Sequence, residues 1–217
     1  WNGLSPLGKQ WLAEVNRLGI VPDASHASDD VLAQMIETSK TPVILTHSGA
    51  KAVFDHPRNI DDALMKKLAD AGGVMQINSM YLAPTSTTPE QRAELIALRD
   101  RRLAYGSLDA AGRARLVADI AAYTAKYPPQ PATFEDYMHN LLHALKVMGP
   151  DHVGIGCDWD GGGVQGLSSI ADIPKITARL KAAGYSEADI QKIWSGNVLR
   201  LVKAAEDYRA SLVKTAG

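Results

Sequence analysis

Leu18-Gly19-Ile20-Val21-Pro22-Asp23-Ala24-Ser25-His26-Ala27-Ser28 and Thr41-Pro42-Val43-Ile44-Leu45-Thr46-His47-Ser48-Gly49 repeat one pattern. In each, a short apolar run bounded by turn residues reads as a buried strand and is followed by a histidine and a helix-start signal. That is the βα grammar of a parallel sheet. The loops at the strand C-termini of such a sheet converge on one face, so His26 and His47 are placed to share one metal ion.

Working outward, the same unit recurs. Ser5-Pro6 caps a helix carrying Leu7, Trp11, Leu12, Val15 and Leu18, which Gly19 ends. Strand Ile20–Ala24 follows, then a helix capped by Ser28 with Asp29 and Asp30 in its first turn, then strand Val43–Thr46. Asn59 reads as the cap of a helix carrying Ile60, Leu64 and Leu68, closed by Gly72-Gly73 before strand Val74–Asn78. From Met80 to Pro131 the pattern changes to a polar loop and two helical stretches, Glu90–Leu103 and Leu108–Lys126, read as an insertion. A helix over Phe134–Met148 leads to a fourth strand, Val153–Gly156, and helices near Ala171–Ala183, Glu187–Trp194 and Val198–Val213 finish the chain.

Four βα units are half of an eight-stranded barrel, a fold of about 250 residues. The expectation is therefore either a small open α/β sheet or a chain whose remaining strands come from another segment. The start at Trp1, without an initiator methionine or signal peptide, reads as the interior of a larger polypeptide.

The 217 residues, 46% hydrophobic and 22% charged, have the composition of a globular protein with a sizeable core, with one compact domain as the default. A net charge of −1 with both signs interspersed offers no basic footprint for nucleic acid or an anionic membrane. Small-molecule partners are the expectation. A lone cysteine, Cys157, excludes an internal disulfide, and no apolar run reaches the roughly 18 residues of a membrane span.

Two histidines leave a catalytic zinc site short of ligands, so a carboxylate has to join them. Asp158, first to emerge from Val153-Gly154-Ile155-Gly156-Cys157, is the candidate to contact a metal-bound water or a substrate amine, although Asp-x-Asp-Gly at 158–161 is also an ordinary turn. Arg58, in Asp55-His56-Pro57-Arg58-Asn59, has two readings: a guanidinium clamping a carboxylate in bidentate fashion, or a solvated side chain in a helix entry organised by Pro57 and Asn59. His139, His143 and His152 lie on or beside a helix with a Leu-rich face and read as structural.

Taken together, Asp-Ala-Ser-His-Ala-Ser at 23–28, Thr-His-Ser-Gly-Ala at 46–50, Asp-His-Pro-Arg-Asn at 55–59, Gly-Gly-Val-Met-Gln-Ile-Asn at 72–78 and Asp-His-Val-Gly-Ile-Gly-Cys-Asp-Trp-Asp-Gly at 151–161 resemble the renal (membrane) dipeptidase family of zinc peptidases. Gly184-Tyr185-Ser186-Glu187 and Gly196-Asn197-Val198-Leu199-Arg200 extend the likeness, which runs from Gly3 to about Ala204 with 83–131 least characteristic. The resemblance implies a (β/α)8 TIM barrel of the metal-dependent hydrolase type, with residues 1–217 as its C-terminal portion supplying the last four strands, 83–131 as a helical insertion, and the N-terminal half absent. It implies two zinc ions per complete site, His26 and His47 on the second of them, and Arg58 and Asp158 on the substrate. The family's His-x-Asp pair, bridging glutamate and further substrate-binding histidine have no counterpart here.

The expected activity is hydrolysis of dipeptides by a hydroxide held between the two ions, Asp158 holding the substrate ammonium and passing a proton to the leaving amine. The expected partners are a dipeptide, the N-terminal half of the same protein and a second copy in a homodimer. Alternatives are a barrel amidohydrolase for another amide, lactam or ester, and a non-catalytic half-barrel scaffold. Compartment stays open between cytoplasm and periplasm.

Overall fold

A computed structural model describes residues 1–82, 88–128 and 132–215. Helix α1 (Pro6–Leu18) starts where the Ser5 hydroxyl accepts from the Gly8 N–H and stops where Gly19 turns left-handed at φ 73°. Its buried face, Leu12 and Val15, is the inner stripe of the expected apolar pattern, while Leu7 and Trp11 are exposed. Helix α2 (Asp29–Thr38) is capped by Ser28, and its first-turn Asp29 and Asp30 oppose the helix dipole.

Strands β1 (Ile44–Ser48), β2 (Val74–Asn78) and β3 (Val153–Cys157) form one sheet in the order β1-β2-β3, both pairings parallel. Each crossover carries helix: α3 (Asp62–Asp70) between β1 and β2, and α6 (Phe134–Met148) before β3. The apolar face of α6, with Tyr137, Met138, Leu141, Ala144, Leu145 and Met148 buried, joins Met75 and Ile77 of β2 in the main core. A capping box between Thr133 and Asp136 fixes its start.

Four strands were expected, and three form among the described residues. Ile20–Ala24 reduces to a single parallel bridge, Asp23 to Ile44, with Ala24 N–H on the Ile44 carbonyl at 2.9 Å and Ile44 N–H on the Pro22 carbonyl at 3.0 Å. Pro22 has no N–H to extend the ladder, and Ile20 is 51% exposed, so neither hydrogen bonds nor packing prolong it. A second difference lies at α3. Its cap is Asp61, not Asn59; Asn59 is fully buried instead, its Nδ2 donating to the carbonyls of Phe54 and Tyr81 at 2.9 Å each.

Helices α4 (Pro89–Leu103) and α5 (Ala110–Lys126) form a compact unit of their own, spanning Pro84–Pro131, held by ion pairs Arg101–Asp119 (2.7 Å) and Lys126–Glu94 (2.6 Å). The other unit comprises Trp1–Ala83 and Ala132–Gly217. Its C-terminal part runs through α7 (Pro174–Ala182), α8 (Glu187–Gln191), a π-helical turn (Lys192–Gly196) and α9 (Asn197–Thr215). The Asn197 side chain donates to the carbonyls of Pro150 and Val153, and Arg200 donates to those of Gly72 and Asp151. These contacts tie the start of α9 to the N-terminal ends of β2 and β3, leaving the C-terminal ends for the site. No helix of the described residues is long and apolar enough to cross a membrane.

One glycine shapes that end. A Cβ on Gly156 would stand 2.3 Å from the Thr46 carbonyl oxygen, so its hydrogen lets β3 approach β1 across β2. The sheet is therefore curled at its C-terminal mouth.

Candidate functional site

Every candidate residue sits at the C-terminal mouth of the sheet. The pairing register slips by one residue between Leu45 and Ser48 of β1, opposite Met75 and Ile77, and between Ile155 and Cys157 of β3, opposite Ile77 and Asn78, so β1 and β3 re-aim their last side chains where chemistry is expected. His26, Tyr81, Cys157 and Asp158 have positive φ (69°, 54°, 26° and 65°), a conformation that costs a non-glycine residue and clusters at functional sites.

The His26 and His47 Nε2 atoms face one another at 2.9 Å, the rings edge-on with centroids 4.9 Å apart. Burial holds the His26 pKa down, and the charges of Arg58 and His47 push the same way, against Asp158 and Asp23. All four groups thus act on one imidazole, and His26 and Arg58 also line one small cavity.

Behind His47 lies a polar cluster. The Thr46 hydroxyl reaches Asp23 Oδ2 at 2.6 Å and His47 Nδ1 at 2.9 Å, and Asp23 Oδ1 accepts from the Ser25 N–H at 2.8 Å. Burial works to raise the Asp23 pKa, but the bonds from Thr46 and Ser25 outweigh it and hold the carboxyl below its ordinary value.

Arg58 is half-buried on a loop fastened to β1. The Ser48 hydroxyl donates to the Arg58 carbonyl at 2.9 Å, and the Arg58 N–H donates to His56 Nδ1 at 3.1 Å. The His56 ring stacks between Phe54 (centroids 5.7 Å apart) and Tyr81 (4.1 Å), and the Arg58 guanidinium lies 5.9 Å from the centre of the Tyr81 ring. Arg58 Nε is buried without a hydrogen-bond partner, as are both amide atoms of Asn78 and the Trp159 indole nitrogen. A buried arginine donor with capacity left favours recognition of an acceptor over the solvated reading.

Burial lowers the His56 pKa from its ordinary 6.5, Arg58 adding to this and Asp55 opposing it. The unfolded chain therefore takes up this proton more readily, so the stability His56 contributes is present above pH 6.5 and is lost as pH falls toward the folded value. In the full-length protein carrying this chain we expect Tm to drop between about pH 7 and pH 5 and the slope to flatten in His56→Phe, which keeps the stack. A slope unchanged by the substitution would assign the loss to other groups.

Two of the remaining three histidines have structural partners: His143 Nε2 lies 2.7 Å from Asp62 Oδ1, and His152 Nδ1 lies 2.8 Å from the Gly73 carbonyl. Sequence reasoning missed Thr46, His56 and Tyr81 at this mouth and saw Asp23 only as the end of a strand.

As a test of fit to a metal, two facing imidazole nitrogens are the donor type zinc takes, but they are two of the three or four it needs. Among the described residues no group of three or more His, Cys, Asp or Glu side chains is arranged to hold an ion. The chain fits as a contributor of two ligands.

A parallel α/β sheet thus gathers two imidazoles, a carboxylate and a guanidinium at its strand C-termini, the end at which parallel α/β folds carry their sites. The chain belongs to the membrane dipeptidase family, peptidase family M19, whose model matches residues 1–215. It is 29% identical over 212 residues to Dipeptidase tcpJ of Claviceps purpurea, a match covering 97% of this chain and 40% of that protein. Among solved structures it is similar to the probable dipeptidase PvdM from Pseudomonas aeruginosa, with TM-score 0.78 and 32% identity, covering 95% of this chain and 55% of that one. A metallopeptidase from Rhodobacter sphaeroides, at 24% identity and TM-score 0.69, shares the fold, with 94% of this chain matched to 48% of that one. The chain thus spans about half the length of the relatives it matches.

Proposed function

We propose that this chain is the C-terminal portion of a zinc-dependent dipeptidase, contributing the later strands of a (β/α)8 barrel in which 83–131 is a helical insertion, and that it acts with an N-terminal barrel half. The observation that carries this reading is the pair of Nε2 atoms facing at 2.9 Å at the mouth of a curled parallel sheet. His26 and His47 would hold one of the site's two zinc ions, which when bound acidifies a water to a pKa of about 7 and polarises the scissile carbonyl.

The protein's own groups set selectivity. Arg58, on a loop fastened by Ser48 and stacked rings, pairs its fork with the substrate's terminal carboxylate. Asp158, held at φ 65° just past β3, accepts hydrogen bonds from the substrate ammonium, takes up the proton that the attacking water releases and passes it to the leaving amine. Recognition of both charged ends limits the substrate to two residues. A neutral ester or lactam lacks one or both of these ends, so the unpartnered Arg58 Nε favours the dipeptide over those substrates.

Arg58→Lys keeps the charge and loses the fork. We expect kcat/KM on free dipeptides to fall by about 10- to 100-fold, in line with the loss of a charged hydrogen bond, and to change little on a C-terminally amidated dipeptide. Equal losses on both substrates would show that Arg58 acts through the fold, not through the carboxylate.

A further inference from the structure

The bonds behind His47 fix where the Thr46 and His47 protons lie. Asp23 Oδ1 is taken by two backbone donors, Ser25 N–H at 2.8 Å and Thr46 N–H at 3.3 Å. Its other oxygen lies 2.6 Å from the Thr46 hydroxyl. An ionised carboxylate only accepts, so the single Thr46 hydroxyl proton goes to Asp23. Thr46 Oγ1 is then left with lone pairs alone toward His47 Nδ1 at 2.9 Å, and the imidazole nitrogen has to carry the proton of that bond. Ser25 joins the circuit: its hydroxyl oxygen accepts the His47 backbone N–H at 3.2 Å and lies 3.2 Å from Thr46 Oγ1, and its own proton is shared between Thr46 Oγ1 and the Asp23 carboxylate. Each donor and acceptor in the circuit is matched.

We propose that Asp23, acting through Thr46, is the positioning residue that fixes His47 as the Nδ1–H tautomer and so presents a bare Nε2 lone pair toward His26 and the ion. This rests on the reading of His47 as a zinc ligand. The partner of one ring nitrogen decides which nitrogen carries the proton, and outer-sphere partners of this kind tune metal affinity. Here the carboxylate works at one remove, with a threonine hydroxyl as the link.

The circuit makes a directional prediction for Asp23→Asn. The two backbone N–H donors keep the amide oxygen in the Oδ1 position, so the new NH2 occupies the Oδ2 position and donates to Thr46 Oγ1. The hydroxyl proton then turns to His47 Nδ1, and the ring proton moves to Nε2, blocking the ligand.

The test uses the full-length protein carrying this chain, labelled with 15N-histidine, with His47 signals assigned from a His47→Gln variant. In metal-free wild type the proton is expected on Nδ1; in Asp23→Asn it moves to Nε2, and zinc affinity measured against a competing chelator falls about 10- to 100-fold. Thr46→Val loses both the tautomer preference and affinity, and Thr46→Ser restores them. Unfolding curves check that each variant is folded; if Thr46→Val is not, the isosteric Asp23→Asn decides alone. A wild-type proton on Nε2 overturns the proposal, as does a folded Asp23→Asn with wild-type tautomer and affinity. His47→Gln with undiminished zinc binding would instead overturn the metal reading, while the tautomer, read without metal, still decides the circuit.

Discussion

On the proposed function, His26→Ala and His47→Ala should each strip the protein of bound zinc and reduce dipeptide hydrolysis by more than the roughly 100-fold that loss of an outer-sphere partner costs. The expectation follows from geometry: the two Nε2 atoms face each other at 2.9 Å, and removing either leaves one imidazole, too few donors from this chain for an ion. The two histidines differ in what else they do. His47 sits within β1 and is tied by its ring and backbone to Thr46 and Ser25, whereas His26 occupies a left-handed turn at φ 69°. His26→Gly should therefore lose the metal just as His26→Ala does, yet raise the stability of the metal-free protein by about 1 kcal/mol through relief of that conformation. Metal analysis beside unfolding curves reads both effects. Retention of zinc and of turnover in either alanine variant would remove these residues from the metal site.

Much of this was legible in the chain because parallel strands and their helices leave strong local signals. Val43-Ile44-Leu45 and Val74-Met75-Gln76-Ile77 announced strands, and Ser5, Ser28 and Thr133 each cap a helix. His26 and His47 were singled out together since both follow apolar runs, and the fold brings their rings into contact. Local signals failed where tertiary partners decide. Ile20–Ala24 has the apolarity of a strand, but Pro22 and an exposed Ile20 limit it to one rung. Asn59 looked like a helix cap because asparagine prefers that role, and it is spent instead on the Phe54 and Tyr81 carbonyls, the second of them 22 residues away. The Thr46 link and the Phe54–His56–Tyr81 stack leave no periodic trace, since each joins segments whose proximity only the fold creates. Asp23 had a visible signal in Asp-x-Ser, a turn in which the carboxylate accepts the N–H two residues on.

On the proposed function, residues 1–217 expressed alone should show no dipeptide turnover, bind fewer than two zinc ions and unfold without a sharp cooperative transition, and the proposed N-terminal barrel half supplied in the same chain or in trans should restore all three. The sheet gives the reason. Among the described residues β3 pairs with β2 alone, and β1 meets Asp23 over a single rung on its other side, so backbone groups along both outer strands lack a ladder partner there. The close approach of Gly156 to Thr46 curls the three strands as a barrel requires, yet three strands cannot close on themselves. Ile20, Trp11 and Leu199 are 51%, 48% and 64% exposed, apolar area that this chain leaves open to water. At the mouth, two imidazoles and Asp158 lack a carboxylate to bridge two ions, and no third ligand joins them among the described residues. Zinc content, thermal unfolding and hydrolysis of a free dipeptide, measured with and without the complementing half, decide the matter. A cooperatively folded monomer of 217 residues with two zinc ions and full turnover would overturn the half-barrel reading and the two-ligand assignment together.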